Sequence, residues 1–262
     1  MVIEMPREAR KKSNTGIYHI IWRGANRQEI FHDDEDWAKF LEILKKYKKK
    51  CELFIYAWCL MNNHVHLLIK EGNEDISASM KRAGVSYVGY YNWKYRTTGH
   101  LFQDRFKSEV VESRKYFLTV VRYIHQNPVK AGMVNLPAEW EWSSCQGYYD
   151  ENKYSKNLLN GDYVLKMFSN DIKVARKWFK EFNETKNNDT CLEDQVNRKR
   201  LTDKEAVMEI NKLLGPIEIA QVKSLPKEKR NEALQKVKEI DGLSLRQAAR
   251  IFGVSLNLVF KA

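Results

Sequence analysis

The sequence has few cysteines and no long apolar run. No run of about 18 apolar residues, as a membrane-spanning helix requires, occurs in it. The N-terminal residues 1–13 are charged and do not lead into the apolar stretch of a signal peptide. The cysteines lack CxxC spacing and fit reduced, mostly buried thiols better than a disulfide framework or a zinc knuckle; they are Cys51, Cys59, Cys145 and Cys191. We therefore expect a cytoplasmic protein without a membrane partner.

Acidic residues are scarce relative to basic ones. The chain of 262 residues carries 45 Lys and Arg against 34 Asp and Glu, a formal net charge of +11. This excess favours polyanionic partners, because cations that neutralise phosphates release counterions. Between Lys81 and Lys130, ten basic residues stand against three acidic ones, among Tyr87, Tyr90, Tyr91, Trp93, Tyr95, Phe102 and Phe106. Such a mixture is typical of a single-strand-binding surface, although an amphipathic helix with a basic solvated face and an aromatic core face has the same composition.

The first part of the chain alternates between strand and helix patterns. Runs of β-branched and aromatic residues predict strands over 16–23, 51–60, 64–70 and 106–111. Acidic residues at 33–36 mark the start of one helix, and a second helix is predicted over 76–95, before Gly99. The order β-α-β-β-α-β predicts an α+β fold of the ferredoxin-like type.

An added helix is predicted over 114–126, ending before Asn127 and Pro128 because a residue that precedes proline is pushed out of the α region. The first domain is expected to comprise residues 1–150. Residues 151–200 are polar and rich in Asn and Lys, which predicts a partly helical linker with one helix near 174–182. The rest of the sequence, 201–262, is predicted to form a small all-α domain.

The C-terminal segment has the pattern of a helix-turn-helix. Ser244 and Ser255 are predicted N-caps and Gly253 the turn residue, while Ala248, Ala249 and Val259 supply small or apolar packing positions. Two residues follow Phe260 in this sequence, which leaves open whether the second helix of the pattern is complete or truncated. An ordinary αα-hairpin fits the same pattern. If the segment binds duplex DNA, its candidate contacts are Arg246, Gln247 and Asn257.

His64-Val65-His66 is the motif with the clearest chemical meaning. On a strand, residues i and i+2 point to one face, so both imidazoles can converge on one ion while Val65 enters the opposite side. Two neutral imidazoles suit a divalent-metal site with open positions for phosphate oxygens. Two half-exposed strand histidines without a metal would give the same motif.

Five separated blocks carry a family resemblance. They are GIYH (16–19) with RGANRQ (23–28), MNNHVH (61–66), GHLFQDRFK (99–107), RYIHQNPVKAG (122–132) and WSS (142–144). Together they resemble the IS200-like Y1 transposases, and most closely the branch of REP-associated tyrosine transposases. The match extends from residue 6 to about residue 150 in the family's order.

The resemblance implies a HUH-type single-strand DNA endonuclease and strand transferase that forms a 5′-phosphotyrosine intermediate at hairpin-bearing DNA. It implies that His64 and His66 bind Mg²⁺ or Mn²⁺ and that Tyr123 is the nucleophile. The family often has a third ligand one turn after the tyrosine, which corresponds to Asn127. Residues at i and i+4 share a helix face, but Asn127 before Pro128 also suits the N-cap of a short following helix.

A tyrosine nucleophile needs assistance, because a phenol of pKa about 10 is only about 0.1% ionised at neutral pH. A nearby cation stabilises the phenolate and draws charge from the scissile phosphate. Tyr116 is the rival nucleophile, two turns before Tyr123 on roughly the same helix face. The alternative function is a non-catalytic nucleic-acid-binding regulator on the same fold. A zinc hydrolase is a third, more distant option, because a nearby carboxylate or third histidine is missing from the motif.

The candidate phosphate contacts of the first domain are Arg7, Arg10, Lys11, Lys12, Arg105 and Lys107, for which a solvated surface is an equally good explanation. In the family, the basic N-terminal segment helps to recognise a tetranucleotide next to a hairpin, and the resemblance implies the same role in this chain. The expected partner is therefore single-stranded or hairpin DNA, bound by a monomer or a homodimer. The histidines left without a predicted role are His19, His32, His100 and His125.

Overall fold

The structure, a computed structural model, describes residues 10–149, 156–189, 191, 201–240 and 242–262. The chain divides into two compact units, Met1–Leu192 and Glu193–Ala262.

The first unit is built on a four-stranded sheet. Its elements are β1 (Ile17–Arg23), α1 (Asp34–Cys51), β2 (Phe54–Met61), β3 (His64–Lys70), α2 (Ile76–Tyr95) and β4 (Lys107–Val110). The strand order is β2-β3-β1-β4, and all three pairs are antiparallel. This is the predicted ferredoxin-like arrangement, in which β3 lies between the two strands of a split βαβ unit. The predicted α+β fold is thus confirmed.

The ends of helices α1 and α2 are set by the residues that flank them. Helix α1 begins after Asp33, whose side chain accepts a hydrogen bond from the Asp36 N–H. It continues through Cys51 and ends at Glu52, which has φ of 55°, so β2 begins at Phe54, three residues later than predicted. Helix α2 has the predicted bounds, but it ends at Arg96 in the left-handed conformation, before the predicted breaker Gly99.

The two faces of the sheet pack against different helices. Ile20, Trp58 and Leu67 belong to an apolar core with residues of α1 and α2. Val65 lies in that core and is fully buried, as predicted from the alternation of the strand. The other face is covered by a helix that follows β4, and it carries the histidines of the motif.

That covering helix is α3 (Arg114–Lys130). It begins after Ser113, whose side chain accepts from the Tyr116 N–H, and it continues past Pro128 to Lys130. The prediction that it ends before Asn127 was wrong, and with it the alternative that Asn127 caps a following helix. Pro128 lies near the C-terminal end of the helix, where tertiary hydrogen bonds hold the last turn: Gln126 Nε2 donates to the Asn183 carbonyl and Lys130 Nζ to the Asp189 carbonyl.

Residues 156–189 pack into the first unit. They form α5 (Gly161–Leu165) and α6 (Ile172–Glu184), after a short helix α4 (Gln146–Tyr149). Val164, Leu165 and Phe179 are buried in one cluster with apolar residues of α3 and β2. Residues 156–189, predicted as part of a linker over 151–200 that follows a boundary at residue 150, are therefore packed within the first unit, because a minority of apolar residues at helical spacing suffices to dock this polar segment. Residues 150–155, 190 and 192–200 lie outside the described residues.

The second unit is all α, with its own apolar core. Its helices are α7 (Asp203–Leu214), α8 (Ile219–Val222), α9 (Lys227–Lys238), α10 (Leu245–Phe252) and α11 (Leu256–Lys261). Ser244 and Ser255 cap α10 and α11 through side-chain hydrogen bonds, and Gly253 takes φ of 62° in the turn. The local geometry predicted for the helix-turn-helix segment is therefore present.

Two expectations from composition concern thiols and membranes. All four cysteines are buried free thiols, as predicted. Over the described residues, each helix is too short or too polar to span a bilayer.

Candidate active site

The register of β1 and β3 gathers polar groups on the α3 face of the sheet. Arg23 pairs with His64 and Ile21 with His66, and His19 is two residues further along β1 on the same face. Cross-strand partners point to the same side of an antiparallel sheet. Three histidines and one arginine from adjacent strands therefore lie under α3.

Tyr123 of α3 packs against this group of side chains. The ring centroids of His64 and His66 are 5.0 Å apart, and the Tyr123 ring lies 5.9 Å from the His66 ring. It also lies 6.0 Å from the ring of His19. Tyr123 is 2% exposed. The structure thus brings together the three residues predicted to be central, His64, His66 and Tyr123.

Both histidines of the motif use the Nδ1 atom for a hydrogen bond. His64 Nδ1 lies 2.6 Å from Asn63 Oδ1, and His66 Nδ1 lies 3.2 Å from His19 Nε2. The Asn63 amide is oriented by a second bond, because its Nδ2 donates to the Arg27 carbonyl at 3.2 Å. Nε2 is consequently the atom that each ring of the motif can offer to a cation.

The imidazoles of the site are held neutral. Burial, with Arg23 nearby, lowers the pKa of His64 to about 3. Burial also lowers the pKa of His66 well below its ordinary value, with His64, His19 and Arg23 acting in the same direction. The pKa of the fully buried His19 falls to about 3 for the same reason. Neutral imidazole is the form that ligates metals.

Asn127 lies one turn after Tyr123, and its Nδ2 donates to the Tyr123 carbonyl at 2.9 Å. Its side chain is buried, with the residue 8% exposed. This bond leaves the amide oxygen as the atom suited to a hard cation. The role of Asn127 as a third ligand stays a prediction.

Basic residues lie beside the tyrosine and on the same face of the sheet. Lys130 Nζ lies 4.4 Å from the centroid of the Tyr123 ring. The pKa of Arg23 is lowered by burial and by Arg27, while charge on Tyr123 acts in the opposite direction. Lys107 pairs with Ile21 and so shares this face; its pKa is lowered by partial burial and by Arg23. The site therefore has a positive field suited to an anion.

Tyr116 has a different environment from Tyr123. Its hydroxyl donates to Glu109 Oε2 at 2.5 Å. Burial and this bond to a carboxylate raise the pKa of Tyr116 well above its ordinary value. Ionisation of Tyr116 is thus disfavoured, which makes it the poorer nucleophile.

A buried polar network fixes α3 against the sheet. His125 Nε2 lies 2.7 Å from Ser144 Oγ, and its Nδ1 lies 3.1 Å from Asn183 Oδ1. Ser144 Oγ in turn accepts from the Trp58 backbone N–H of β2. This network explains why the RYIHQNP and WSS blocks occur together: a histidine of the first is hydrogen-bonded to a serine of the second.

The predicted DNA contacts of the first unit occupy the N-terminal segment and the approach to β4. The Arg10 guanidinium stacks 3.6 Å over the Phe106 ring and donates to the Phe106 carbonyl, so part of its donor capacity is used within the protein. Lys11, Lys12 and Arg105 are exposed, and Lys107 is exposed over part of its side chain. Arg7 lies outside the described residues. Of this set, Lys107 is the residue that the sheet places on the face of the histidines.

The predicted DNA contacts of the second unit differ in availability. Arg246 and Asn257 are exposed on α10 and α11. Gln247 Nε2 donates to the Leu201 carbonyl and to Asp203 Oδ1, both at 2.9 Å. The Gln247 amide thus connects the start of α7 to α10 within this unit. Contact of these three residues with DNA stays a prediction.

Sequence reasoning gave no role to three residues that contact or adjoin the motif: His19, Arg23 and Asn63. The alternation of β1 places His19 and Arg23 on one face, but only the pairing with β3 brings that face to His64 and His66. Asn63 directly precedes the motif. Its adjacency was the one signal available from sequence alone.

The donor set fits a divalent cation in type. Two neutral imidazoles with engaged Nδ1 atoms present Nε2 nitrogens, and the predicted third donor is an amide oxygen. Within the described ranges, no cluster of three or more His, Cys, Asp or Glu side chains has metal-binding geometry. The predicted ligand set has only two side chains of these four types, because its third member is Asn127. The predicted site is therefore compatible with the absence of such a cluster.

Comparison with known proteins bears on this site. Residues 12–127 match the family model described as IS200-like transposase. A Haemophilus influenzae protein named as a REP-associated tyrosine transposase is 27% identical over 118 residues, which cover 39% of this chain and 66% of that protein. The REP-associated tyrosine transposase of Escherichia coli K12 is 27% identical over 101 residues, which cover 38% of this chain and 58% of that protein.

A solved structure of a REP-associated tyrosine transposase bound to a REP hairpin aligns with a TM-score of 0.45 and 21% identity, over 53% of this chain and 82% of that one. The sequence matches thus cover only part of each relative. They confirm the resemblance that the sequence blocks indicated, and over residues 12–127 the chain matches the IS200-like transposase family.

Proposed function

We propose that this protein is a metal-dependent single-strand DNA endonuclease and strand transferase of the tyrosine-transposase type. The observation that carries the proposal is the position of the Tyr123 ring, 5.9 Å from His66, whose own ring is 5.0 Å from His64. A potential nucleophile from α3 and two metal-ligand side chains from β3 therefore share one site. The match to a transposase family supports the same class of reaction.

Mg²⁺ or Mn²⁺ is the proposed cofactor, with His64, His66 and Asn127 as its ligands. When bound, such a cation polarises a scissile phosphate as a Lewis acid. Both histidines are suited to this role because burial keeps them neutral.

The proposed reaction is attack of Tyr123 Oη on a backbone phosphorus. The new P–O bond forms as the bond to the 3′ oxygen breaks, the phenol loses its proton and the departing oxygen gains one, so there is no redox change. The products are a 5′-phosphotyrosine and a free 3′-OH. Because the covalent link retains the activated phosphate, the 3′-OH of another strand can reverse the step without ATP.

The basic residues around Tyr123 have separate proposed roles. Arg23 and Lys107, on the same face as His64 and His66, bind the phosphate that enters the site. Lys130, 4.4 Å above the Tyr123 ring, favours the phenolate over the phenol. Because Tyr123 is 2% exposed, the strand can reach it only after the groups that cover it, including Lys130, move aside.

The proposed substrate is hairpin-bearing single-stranded DNA. The chain is strongly basic. A REP-associated tyrosine transposase, with which part of this chain aligns, is bound to a REP hairpin in its solved structure. The second unit is proposed to contribute duplex-DNA binding through α10 and α11. The turn geometry at Gly253 and the two serine caps support a helix-turn-helix there.

The test uses hairpin oligonucleotides drawn from inverted repeats that flank the gene. With Mn²⁺, a 3′-labelled oligonucleotide should yield a labelled protein band that resists denaturation, because Tyr123 is joined to the 5′ end of the downstream fragment. A 5′-labelled oligonucleotide should instead release a shorter strand that ends in a 3′-OH. EDTA should abolish both products.

Two matched variants assign the nucleophile. Tyr123→Phe should form no adduct, whereas Tyr116→Phe should retain it, because Tyr116 is bonded to Glu109 and is disfavoured as a phenolate. Adduct formation by Tyr123→Phe would show that the assignment is wrong. Hairpin binding that is insensitive to EDTA, with no adduct from the wild-type protein under any metal, would favour the non-catalytic regulator.

A further inference from the structure

We propose that Asn63 and His19 are positioning residues that hold His64 and His66 in the tautomer whose Nε2 lone pairs face a shared divalent cation. The inference rests on the proposed function, because it concerns how the same site prepares its ligands. It assigns a role to two residues outside the ligand set, from the hydrogen bonds that they make with the two histidines.

For His64, the acceptor determines the tautomer. Asn63 Nδ2 donates to the Arg27 carbonyl, an atom that can only accept, so the other end of the amide, Oδ1, faces His64 Nδ1 at 2.6 Å. An amide oxygen cannot donate. His64 Nδ1 must therefore carry the proton, and Nε2 has the lone pair before any metal is bound.

For His66, the partner is another imidazole. His66 Nδ1 and His19 Nε2 are 3.2 Å apart, and both rings are fully buried. Either nitrogen can donate, depending on the tautomers. Only the arrangement in which His66 Nδ1–H donates to His19 Nε2 leaves His66 Nε2 able to ligate, so cation binding selects that arrangement.

The surroundings of His19 suit this task. Its stacked ring lies 5.5 Å from that of His66, which restricts rotation of the ligand ring. His19 Nδ1 is buried without a hydrogen-bond partner in the part of the chain that the structure describes. Among the described residues, the hydrogen bond to His66 is thus the one that the His19 side chain makes, a costly arrangement for a buried polar group unless that bond matters.

The test measures Mn²⁺ affinity of the full chain by the loss of the free-ion electron paramagnetic resonance signal. Loss of an outer partner of a ligating histidine typically weakens metal binding by about 10- to 100-fold. We expect Asn63→Ala and His19→Leu to fall in that range. His19→Gln should bind nearly as the wild type, since its Oε1 can accept from His66 Nδ1–H.

A matched control is the neighbouring Asn62, in the same turn, whose side chain bonds to Glu29 at 3.4 Å. Asn62→Ala should leave Mn²⁺ affinity unchanged. Thermal unfolding without metal identifies any variant that loses its fold. If His19→Leu does not fold, ¹⁵N NMR of wild-type histidines with Mg²⁺ replaces it, and both motif rings should carry the proton on Nδ1.

The outcomes separate this inference from the proposed function. Folded Asn63→Ala and His19→Leu that bind Mn²⁺ as tightly as the wild type would overturn the inference alone. A motif histidine protonated on Nε2 in the Mg²⁺ complex would also overturn it. A wild-type protein that binds no Mn²⁺ would overturn the proposed metal site as well.

Discussion

The two faces of the sheet are both buried, yet their chemistry differs. The face toward α1 and α2 carries apolar side chains such as Ile20, Trp58 and Leu67, each fully buried. The face toward α3 carries the fully buried imidazoles of His19 and His66. Adjacent residues on one strand thus enter an ordinary core on one side and a polar site on the other.

The difference shows that the face under α3 is energetically less favourable to bury than the opposite face. A buried polar group that is poorly hydrogen-bonded destabilises a protein by about 1–3 kcal/mol. Apolar side chains in place of His19 and His66 would avoid this penalty. We infer that the face under α3 is maintained for its chemistry, while the opposite face supplies the stability.

The largest predicted effect is a loss of stability caused by a substitution on the apolar face. Leu67→Ala should lower the free energy of unfolding by about 2–5 kcal/mol, because it opens a cavity among Ile20, Trp58 and their neighbours. Urea denaturation measures the change. The folded fraction should still form the Tyr123 adduct at the wild-type rate. Unchanged stability, or a specific loss of adduct in folded protein, would contradict the division between the faces.

The next residue toward the N-terminus should behave in the opposite way. His66→Ala is expected to slow adduct formation by about 100-fold or more, because it removes a ligand itself, and the loss of an outer partner alone costs about 10- to 100-fold. A 100-fold change corresponds to about 2.7 kcal/mol in the barrier. Its free energy of unfolding should change less than that of Leu67→Ala. A time course under Mn²⁺ measures the rate.

The control for His66→Ala is His100→Ala, which removes an exposed histidine and should leave the rate unchanged. Adduct formation by His66→Ala at the wild-type rate would show that this imidazole is not a required ligand.

The fold was largely predictable because its signals are local. The bounds of β3 and α2 are those predicted from the strand-forming residues of HVHLLIK and from the helical pattern of residues 76–95. The errors arose where tertiary contacts outweigh local preference. Pro128 remains inside α3, and polar residues 156–189 dock through a few apolar positions such as Phe179.

The site was predictable to the extent that strand geometry carries it. The i and i+2 spacing placed His64 and His66 on one face, whereas Tyr123 was identified from the family resemblance. His19 and Arg23 could not be joined to them from sequence, because the β1–β3 register depends on pairing between strands that are about 40 residues apart along the chain. Cross-strand contacts are the information that a single sequence lacks.

A smaller effect tests the buried histidine network beside the site. Burial lowers the pKa of His125 to about 4, with the Asn183 hydrogen bond opposing, whereas an unfolded histidine has a pKa near 6.5. Between these values the unfolded state binds a proton that the folded state does not, so stability falls as the pH falls. The maximum slope is about 1.4 kcal/mol per pH unit.

His125→Gln should remove that contribution and flatten the pH dependence of the free energy of unfolding between about pH 4 and 6.5. Urea denaturation across this range measures the slope. His100→Gln, which changes an exposed histidine, should keep the wild-type slope. Equal slopes for both variants would show that His125 is not held neutral by the fold.

The smallest predicted effect distinguishes the faces by charge. Lys107 lies on the face of the histidines, while Lys45 is exposed on α1, on the other side of the sheet. If Lys107 contacts a phosphate, Lys107→Ala should reduce the slope of log K for hairpin DNA against log salt by about 0.7, the value for one single-strand contact. Fluorescence anisotropy over a potassium chloride series, without divalent metal, measures this slope.

The control variant Lys45→Ala makes the same change in net charge. It should leave the slope unaltered, because the slope reports the phosphate contacts that the protein makes and not its total charge. Equal reductions in both variants would mean that DNA senses only the total charge of the chain, and that the α3 face has no special part in binding.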